Sequence, residues 1–594
     1  MPISPSIHSQ NLEIDAVLPA EEKKEEKIPS LSEYSEYLRT KYLAQFARLK
    51  QDPDLPYDQA TATCEAVWRL CKLPANHIFG GNSQVIAPTG AGKTYFINAV
   101  IELIRLEAPE KFPLNKFILI ISPPAVQEQT REVLATYGGN LPGVIITTLA
   151  GLRTGGVGDM FIFWKTEMIN GEPKLYPHWH FDLVSFIFVD ESQQLKNEST
   201  QTDLMISAAK YGIPIIPLSA TPYSRPCQAR AIGIITAPTV TFGQYKVPIQ
   251  LNEDSWASWI REVCDPDNPL DWSPSALERV QRWLDSKTIR FTCKYPYPII
   301  AKYAATQFTS AASRQRYADA YEDWERKKAE FGKNPTTGFA AVLVAMAKHN
   351  QVADEERAPN TAEFITKIYR EREGNSRKKP MSYILGFAFR TALDKAYAHL
   401  VNEMGWKERE IGIIAGGRGA ANARDHKLFQ RDKIHIMLMT VACGGAGLSL
   451  DHNRFNRRQR SILASATYND IQMAQLAGRT QRVDTQSATY LIILYYEGTE
   501  EHRKIVKVRR KMSSLAKVVT RTGVKKARAG TNVFLDDHDE LKNVSIRNLL
   551  KASGDDHLSE EEQEASEEAI AQRILGTQQE VEIVEADEDD EEQD

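Results

Sequence analysis

Cysteine is scarce in this chain: six in 594 residues (Cys64, Cys71, Cys227, Cys264, Cys293 and Cys443), with no two in a C-x-x-C pair. That spacing excludes a zinc framework and a disulfide scaffold. No apolar run approaches the roughly 20 residues that cross a bilayer, so no membrane partner is expected. Met1 to Glu26 is polar and then charged, without the apolar centre of a secretory leader. An intracellular setting is therefore expected, cytoplasmic or, in a nucleated cell, nuclear. No fixed-period repeat is present. What remains is an ordinary soluble composition, 42% hydrophobic and 25% charged, long enough for three or four domains.

Charge is unevenly placed. Residues 555–594 hold 18 Asp and Glu against one basic residue, Arg573. The net charge of −5 thus divides into −17 for that tail and +12 for residues 1–554. A basic body with an acidic tail suits a polyanion binder, with protein partners open to the tail. A solubilising disordered tail is the other reading of the same composition.

Short apolar runs alternate with helical patterns from about 55 to 235: Gln84–Ile86, Phe117–Ile121, Val144–Ile146, Phe186–Val189 and Ile213–Leu218. A second series begins near 382: Tyr383–Phe387, Ile411–Ile414, Ile434–Met439, Ser461–Ala464 and Tyr490–Leu494. Continuous apolar strands separated by helices predict parallel sheets covered on both faces. The fold class expected is α/β, with two such units in tandem. Residues 240–375 read mainly as helix, and Arg372–Pro380 reads as a linker. The first 30 residues and the acidic C-terminal tail read as disordered.

The most informative stretch is Ala87-Pro88-Thr89-Gly90-Ala91-Gly92-Lys93-Thr94, between an apolar run and the helical pattern Tyr95–Ile101. Strand, small-residue loop and helix form the context of a phosphate cradle. Backbone N–H groups would wrap the phosphate, and the helix N-terminus adds its positive end. Lys93 would reach the β- and γ-phosphates and Thr94 would ligate Mg²⁺. Ala87 stands where the pattern has its first glycine.

Further along, the run Phe186–Val189 ends in Asp190-Glu191-Ser192-Gln193. Asp190 is a candidate Mg²⁺ ligand and Glu191 the base that polarises water. Alone, such a pair is more often a helix cap. Ser219 and Thr221, in Leu218-Ser219-Ala220-Thr221-Pro222, could relay phosphate state through hydroxyls; a turn is the bland reading. Gln475-Leu476-Ala477-Gly478-Arg479-Thr480-Gln481-Arg482 is expected to put Arg479 and Arg482 on one helical face, able to clamp a γ-phosphate. Thr440–Asp451, with Gly444, Gly445 and Gly447, is a glycine-rich turn open to close phosphate approach. Gln59, after Leu55-Pro56-Tyr57-Asp58, could read an adenine edge.

In this order the residues resemble the motif set of superfamily 2 helicase-like ATPases. Gln59 matches the adenine-sensing motif and Ala87–Thr94 the phosphate loop. Pro123-Pro124 through Gln129 and Thr147-Thr148-Leu149 fall where strand-contact motifs sit. Asp190–Gln193, Ser219-Ala220-Thr221, Thr440–Asp451 and Gln475–Arg482 follow. Within the superfamily the chain is most similar to Swi/Snf-type double-stranded DNA translocases. Asp190 to Ser199 resembles their extended acidic box, Gln315-Arg316-Tyr317 the opening of their inter-lobe helices, and Gly498-Thr499-Glu500-Glu501 with Lys504, Lys507 and Lys511 the segment after the arginines. The chain departs from the pattern at Gln193, where histidine is commoner, at Ser219–Pro222, which lacks the usual glycine, and at Asp484-Thr485.

The resemblance implies two RecA-like lobes. The expected division is an N-terminal extension (1–50), lobe one (51–238), a helical inter-lobe region (239–380), lobe two (381–520) and a C-terminal extension (521–594). It implies ATP and Mg²⁺, with Lys93, Asp190, Glu191, Gln193, Arg479 and Arg482 catalytic. Gln59, Ala87 to Thr94, Ser219, Thr221 and Gly447 would hold the nucleotide, and Thr94 and Asp190 the metal. The activity implied is ATP-driven movement along double-stranded DNA. An RNA-remodelling helicase and an ATP-gated scaffold are the alternatives. Thr147, Thr148, Gly444 and Gly445 are candidate strand contacts, and Arg509, Arg510, Lys511, Lys525 and Lys526 would add affinity.

Overall fold

The computed structural model describes residues 28–505 apart from 53–54, 56, 75–76, 138–140, 154–155, 170–171, 198, 224, 243–246, 265–273, 298, 334–338, 375–379, 442–447, 466–469, 483, 497–498 and 502–503. Gly444, Gly445, Gly447 and Cys443 therefore lie outside the described residues. So do the leading 27 residues, the core of the Arg372–Pro380 linker, Gly498, Lys507, the basic residues from Arg509 to Lys526 and the acidic tail.

The strands are β1 (Gln84–Ile86), β2 (Phe117–Ile121), β3 (Val144–Thr147), β4 (Ile162–Ile169), β5 (Glu172–Trp179), β6 (Val184–Asp190), β7 (Ile215–Ser219), β8 (Thr239–Phe242), β9 (Val247–Gln250), β10 (Thr288–Arg290), β11 (Ile299–Thr306), β12 (Met381–Phe387), β13 (Ile411–Ile414), β14 (Ile436–Thr440), β15 (Gln459–Ser465) and β16 (Thr489–Tyr496). They build two parallel six-stranded sheets, in the orders β10-β1-β7-β6-β2-β3 and β11-β16-β15-β12-β14-β13. The fold is mixed α/β with parallel-sheet cores, as the apolar runs imply.

Each sheet is buried on both faces, so alternate residues of one strand serve opposite cores. In β2, Leu119 and Ile121 join one cluster with Ile187 and Ile215, while Ile118 and Ile120 join another with Phe186 and Leu218. In β12, Ile384 packs with Met437 and Ile462, while Tyr383, Leu385 and Phe387 pack with Ile436 and Leu438.

Four strands fall inside 239–380, the stretch read as mainly helical: the antiparallel pair β8 and β9, and then β10 and β11. β10 pairs with β1 and extends the first sheet past residue 238. β11 pairs with β16 from Ile299↔Thr489 to Thr306↔Tyr496 and opens the second sheet well before 381. Helices Ala311–Lys333 and Phe339–Glu373 do follow. The segment before residue 50 is also built into the first unit from residue 30 onward. Ser30 caps helix Leu31–Lys41. The hydroxyls of Tyr34, Tyr37 and Tyr42 then donate to Glu107, at the end of the helix that starts with Lys93, at 2.7, 3.1 and 2.6 Å.

Candidate active site

The carboxyl edge of the first sheet carries the chemistry. β1 ends at Ile86, and the chain turns through Ala87–Gly92 into helix Lys93–Glu107. Gly90 and Gly92 have φ of +85° and +94°, in the left-handed region where a side chain would be strained. A methyl group at Gly90 would also come within 2.6 Å of the Gln481 carbonyl oxygen. The loop is held from outside: the Ala87 N–H donates to Ser219 O at 3.1 Å, and the Tyr295 hydroxyl donates to Thr89 O at 2.8 Å. Gln59, buried at the start of its helix, donates its amide to Gly92 O at 2.7 Å and accepts from Lys50 N–H at 2.8 Å. One donor and one acceptor lobe of that amide remain for a ligand. Thr94, the second helical residue, is partly buried.

Two strands away in sheet order, with β7 between, β6 ends at Asp190. Its carboxylate accepts from the Glu191 N–H at 3.0 Å, and Glu191 itself takes φ +55°, a conformation uncommon for a residue with a side chain. That turn aims both carboxylates at the phosphate loop. Lys93 Nζ and Arg479 Nη2 each lie 3.9 Å from Glu191 Oε1. Gln193 donates to Glu191 Oε2 at 2.9 Å and accepts from the Ser219 hydroxyl at 2.5 Å, while Thr221 N–H donates back to Ser219 Oγ at 2.9 Å. Glu191, Gln193, Ser219 and Thr221 thus form one hydrogen-bonded chain across β6 and β7. Thr221 Oγ1 is buried without a hydrogen-bond partner among the described residues.

Electrostatics separate the two carboxyls. Burial pushes Asp190 up to about 6, and Glu191 beside it adds to the rise. Burial would raise Glu191 too, but Lys93, Arg479 and the Gln193 amide outweigh it and hold its carboxyl below the ordinary value. Burial also lowers Arg479 to about 10, still charged at neutral pH.

The second sheet supplies the arginines, though not from one helical face. The helix Asp470–Gly478 ends before them. Gly478 is pressed against the phosphate loop so closely that a methyl there would meet Thr89 Cβ at 2.7 Å. The chain then tightens, with Arg479 N–H donating to Leu476 O at 3.1 Å and Thr480 N–H to Ala477 O at 3.2 Å. Arg479 reaches Glu191, whereas Arg482 turns back and donates to Gly478 O at 2.8 Å and Leu448 O at 3.1 Å. Gln481 donates to Tyr297 O at 3.0 Å, tying the segment to the crossing between the sheets.

The remaining motifs also find places. Thr147 ends β3, its carbonyl accepting from Ser122 N–H at 2.9 Å, and Thr148 Oγ1 accepts from Gly151 N–H at 2.7 Å. Pro124 opens helix Pro124–Tyr137 after β2, so both strand-contact candidates share the carboxyl edge of the first sheet. Arg316 forms a bidentate pair with Glu356 at 2.9 and 2.6 Å. Glu501 pairs with buried Arg357. Sequence reasoning did not find Tyr295, whose hydroxyl on Thr89 O has no motif signal, or Lys50, which acts through its backbone. Among the described residues no His, Cys, Asp and Glu cluster could hold a metal ion, and no helix is long and apolar enough to cross a membrane.

No protein-family model matches the chain, and no curated protein matches it. Solved structures do. One is the Sulfolobus solfataricus SWI2/SNF2 ATPase core in complex with dsDNA, 13% identical, covering 85% of this chain and 97% of that one, with a TM-score of 0.30.

Proposed function

We propose that the chain is a nucleic-acid-dependent ATPase that moves along or remodels double-stranded DNA, its two sheets acting as RecA-like lobes. The observation that carries this reading is the convergence on Glu191 of Lys93 from the phosphate loop and Arg479 from the second sheet, each at 3.9 Å. The residues fit a nucleotide. Gly90 and Gly92 leave a backbone cradle that any side chain would fill, and Lys93 and Arg479 balance the two buried carboxylates.

Lys93 and the loop N–H groups hold the phosphates, and Gln59 faces the adenine side. Thr94 and Asp190 would hold Mg²⁺, which supplies charge neutralisation at the phosphates when bound. Glu191, kept ionised by its cations and oriented by Gln193, accepts the proton of the attacking water. Arg479 stabilises the charge that develops on the transferred phosphoryl group. Gln193, Ser219 and Thr221 link that event to β7. Arg479 leaving Glu191 would separate the sheets, and alternation of the two arrangements would step the protein along a phosphate backbone near Thr147 and Thr148.

The test is steady-state ATP hydrolysis with no nucleic acid, duplex DNA, single-stranded DNA and RNA. Stimulation by duplex DNA that Lys93→Ala abolishes is expected. Stimulation by RNA alone would move the protein to the RNA-remodelling class, and no turnover on any of them would leave an ATP-gated scaffold.

A further inference from the structure

We infer that the loop His452–Arg458 is a second nucleic-acid contact, an aromatic platform ringed by arginines that takes an unpaired base and its neighbouring phosphates. This inference rests on the nucleic-acid reading above but concerns a different surface. The loop leads into the amino end of β15, where Gln459 N–H donates to Pro380 O at 3.1 Å ahead of β12. It therefore lies at the edge of the second sheet opposite Thr440, away from the phosphate loop.

Phe455 is 77% exposed, the most exposed large apolar side chain among the described residues. It is held out by a stiff frame. Phe455 N–H donates to Asn453 Oδ1 at 2.9 Å, Asn453 N–H to Asn456 Oδ1 at 3.1 Å, and Asn456 Nδ2 to Gln430 Oε1 at 2.9 Å and Asp451 O at 3.1 Å. The guanidinium of Arg454 lies 4.7 Å from the Phe455 ring centroid and widens the flat surface. Arg457 N–H donates to Asp432 Oδ2 at 2.6 Å, which places the loop against the turn carrying Arg431 and Lys433.

The local charge is one-sided. The nearby carboxylates Asp432 and Glu373 already pair with Arg460 and Arg458, at 3.1 and 2.8 Å. Arg431, Lys433, Arg454 and Arg457 are exposed, and among the described residues none of them has a carboxylate at ion-pair distance. A merely solvated basic loop has no use for a phenyl ring carried on a hydrogen-bonded backbone at its centre. Stacking on a base uses that ring whatever the sequence, and free guanidinium groups beside it meet phosphates.

The experiment is binding of a labelled single-stranded oligonucleotide and a duplex of equal length to the full chain, with Phe455→Ala, Phe455→Leu and the double variant Arg454→Ala/Arg457→Ala. Unchanged melting temperatures confirm that these exposed positions leave the fold intact. Both Phe455 variants are expected to weaken single-strand binding about five- to twentyfold, and duplex binding less. The double variant is expected to flatten the salt dependence of single-strand binding by about 1.4 in log–log slope, two phosphates' worth. Wild-type binding of the single strand that all variants match would overturn this inference and leave the motor reading intact. Variants that bind nucleic acid normally but lose an added peptide of residues 555–594 would overturn it too, and assign the surface to an acidic polypeptide. Loss of nucleic-acid stimulation in the wild type would instead remove the motor reading.

Discussion

The two sheets have the same number of parallel strands, yet the loop after β1 in one and the loop after β12 in the other treat anions in opposite ways. After β1 the chain runs through Gly90 and Gly92, whose positive φ leaves the loop open as a cradle for a phosphate from outside. After β12 it runs through Ala388 and Phe389, and a resident carboxylate already fills that role. Asp354, from helix Phe339–Glu373, accepts from Ala388 N–H at 2.8 Å and Phe389 N–H at 3.0 Å, and also binds the Ser465 hydroxyl. Arg357 lies 3.7 Å from Asp354 and pairs with Glu501. One sheet edge is built to take a ligand's charge; the other carries its own and gives its strength to the helical layer. Under the function proposed above, the first edge would carry the chemistry and the second would position arginines.

The largest effect that separates the edges belongs to Lys93→Ala, expected to reduce ATP turnover by about 10³-fold without loss of fold. Turnover within tenfold of wild type would remove the first edge from the chemistry. Asp354→Ala comes next. It leaves the Ala388 and Phe389 N–H groups without their acceptor and Arg357 with Glu501 alone, and a loss of about 3–5 kcal/mol is expected in denaturant unfolding, with ATP affinity changed less than threefold. A tenfold loss of ATP affinity at unchanged stability would show that the second edge also binds nucleotide.

Gln193→Ala is smaller. It cuts the link from Glu191 to Ser219, so kcat should fall roughly 10- to 100-fold with KM within threefold, because the change disturbs orientation rather than binding. Equal loss in KM would make Gln193 a binding group. Smallest is the effect of pH. Asp190, raised to about 6, holds a proton below that pH, and Mg²⁺ must displace it. The Mg²⁺ concentration for half-maximal turnover should rise about tenfold per unit below pH 6 and stay flat above pH 7. The same raised value makes the ionised group destabilising, its contribution being most favourable below the unfolded value near 3.8 and lost as pH rises through 6. Asp190→Asn should therefore melt higher than wild type at pH 7.5, by roughly 1–3 °C, and no higher at pH 4.

Long apolar runs were legible because burial on both sheet faces forces continuous hydrophobicity. β1, β2 and β13 coincide with their runs, and the others differ by one or two residues at an end. The short or mixed strands were not. β10 has three residues, Thr288–Arg290, and exists because β1 leaves an edge to pair with. β11 mixes Lys302 and Tyr303 into its run, and only its pairing with β16 makes it a strand. The antiparallel hairpin of β4 and β5, closed where Ile169 pairs with Glu172, carried a signal that could have been read: Asn170-Gly171 between alternating residues. Spacing brought Lys93, Asp190, Glu191 and Arg479 to one place in the sequence pattern, but it could not show that the helix stops at Gly478. That depends on Thr89, almost four hundred residues earlier, packing where a Cβ would be.

The most direct test of a composite site is to measure ATP binding and single-turnover hydrolysis, both on duplex DNA, for Glu191→Gln and Arg479→Ala. Each variant is expected to bind ATP within about fivefold of wild type while hydrolysis falls by at least about 100-fold, since both residues act on the transition state and come from different sheets. Hydrolysis at the wild-type rate by Arg479→Ala would contradict the account, because the second sheet would then have no part in the chemistry.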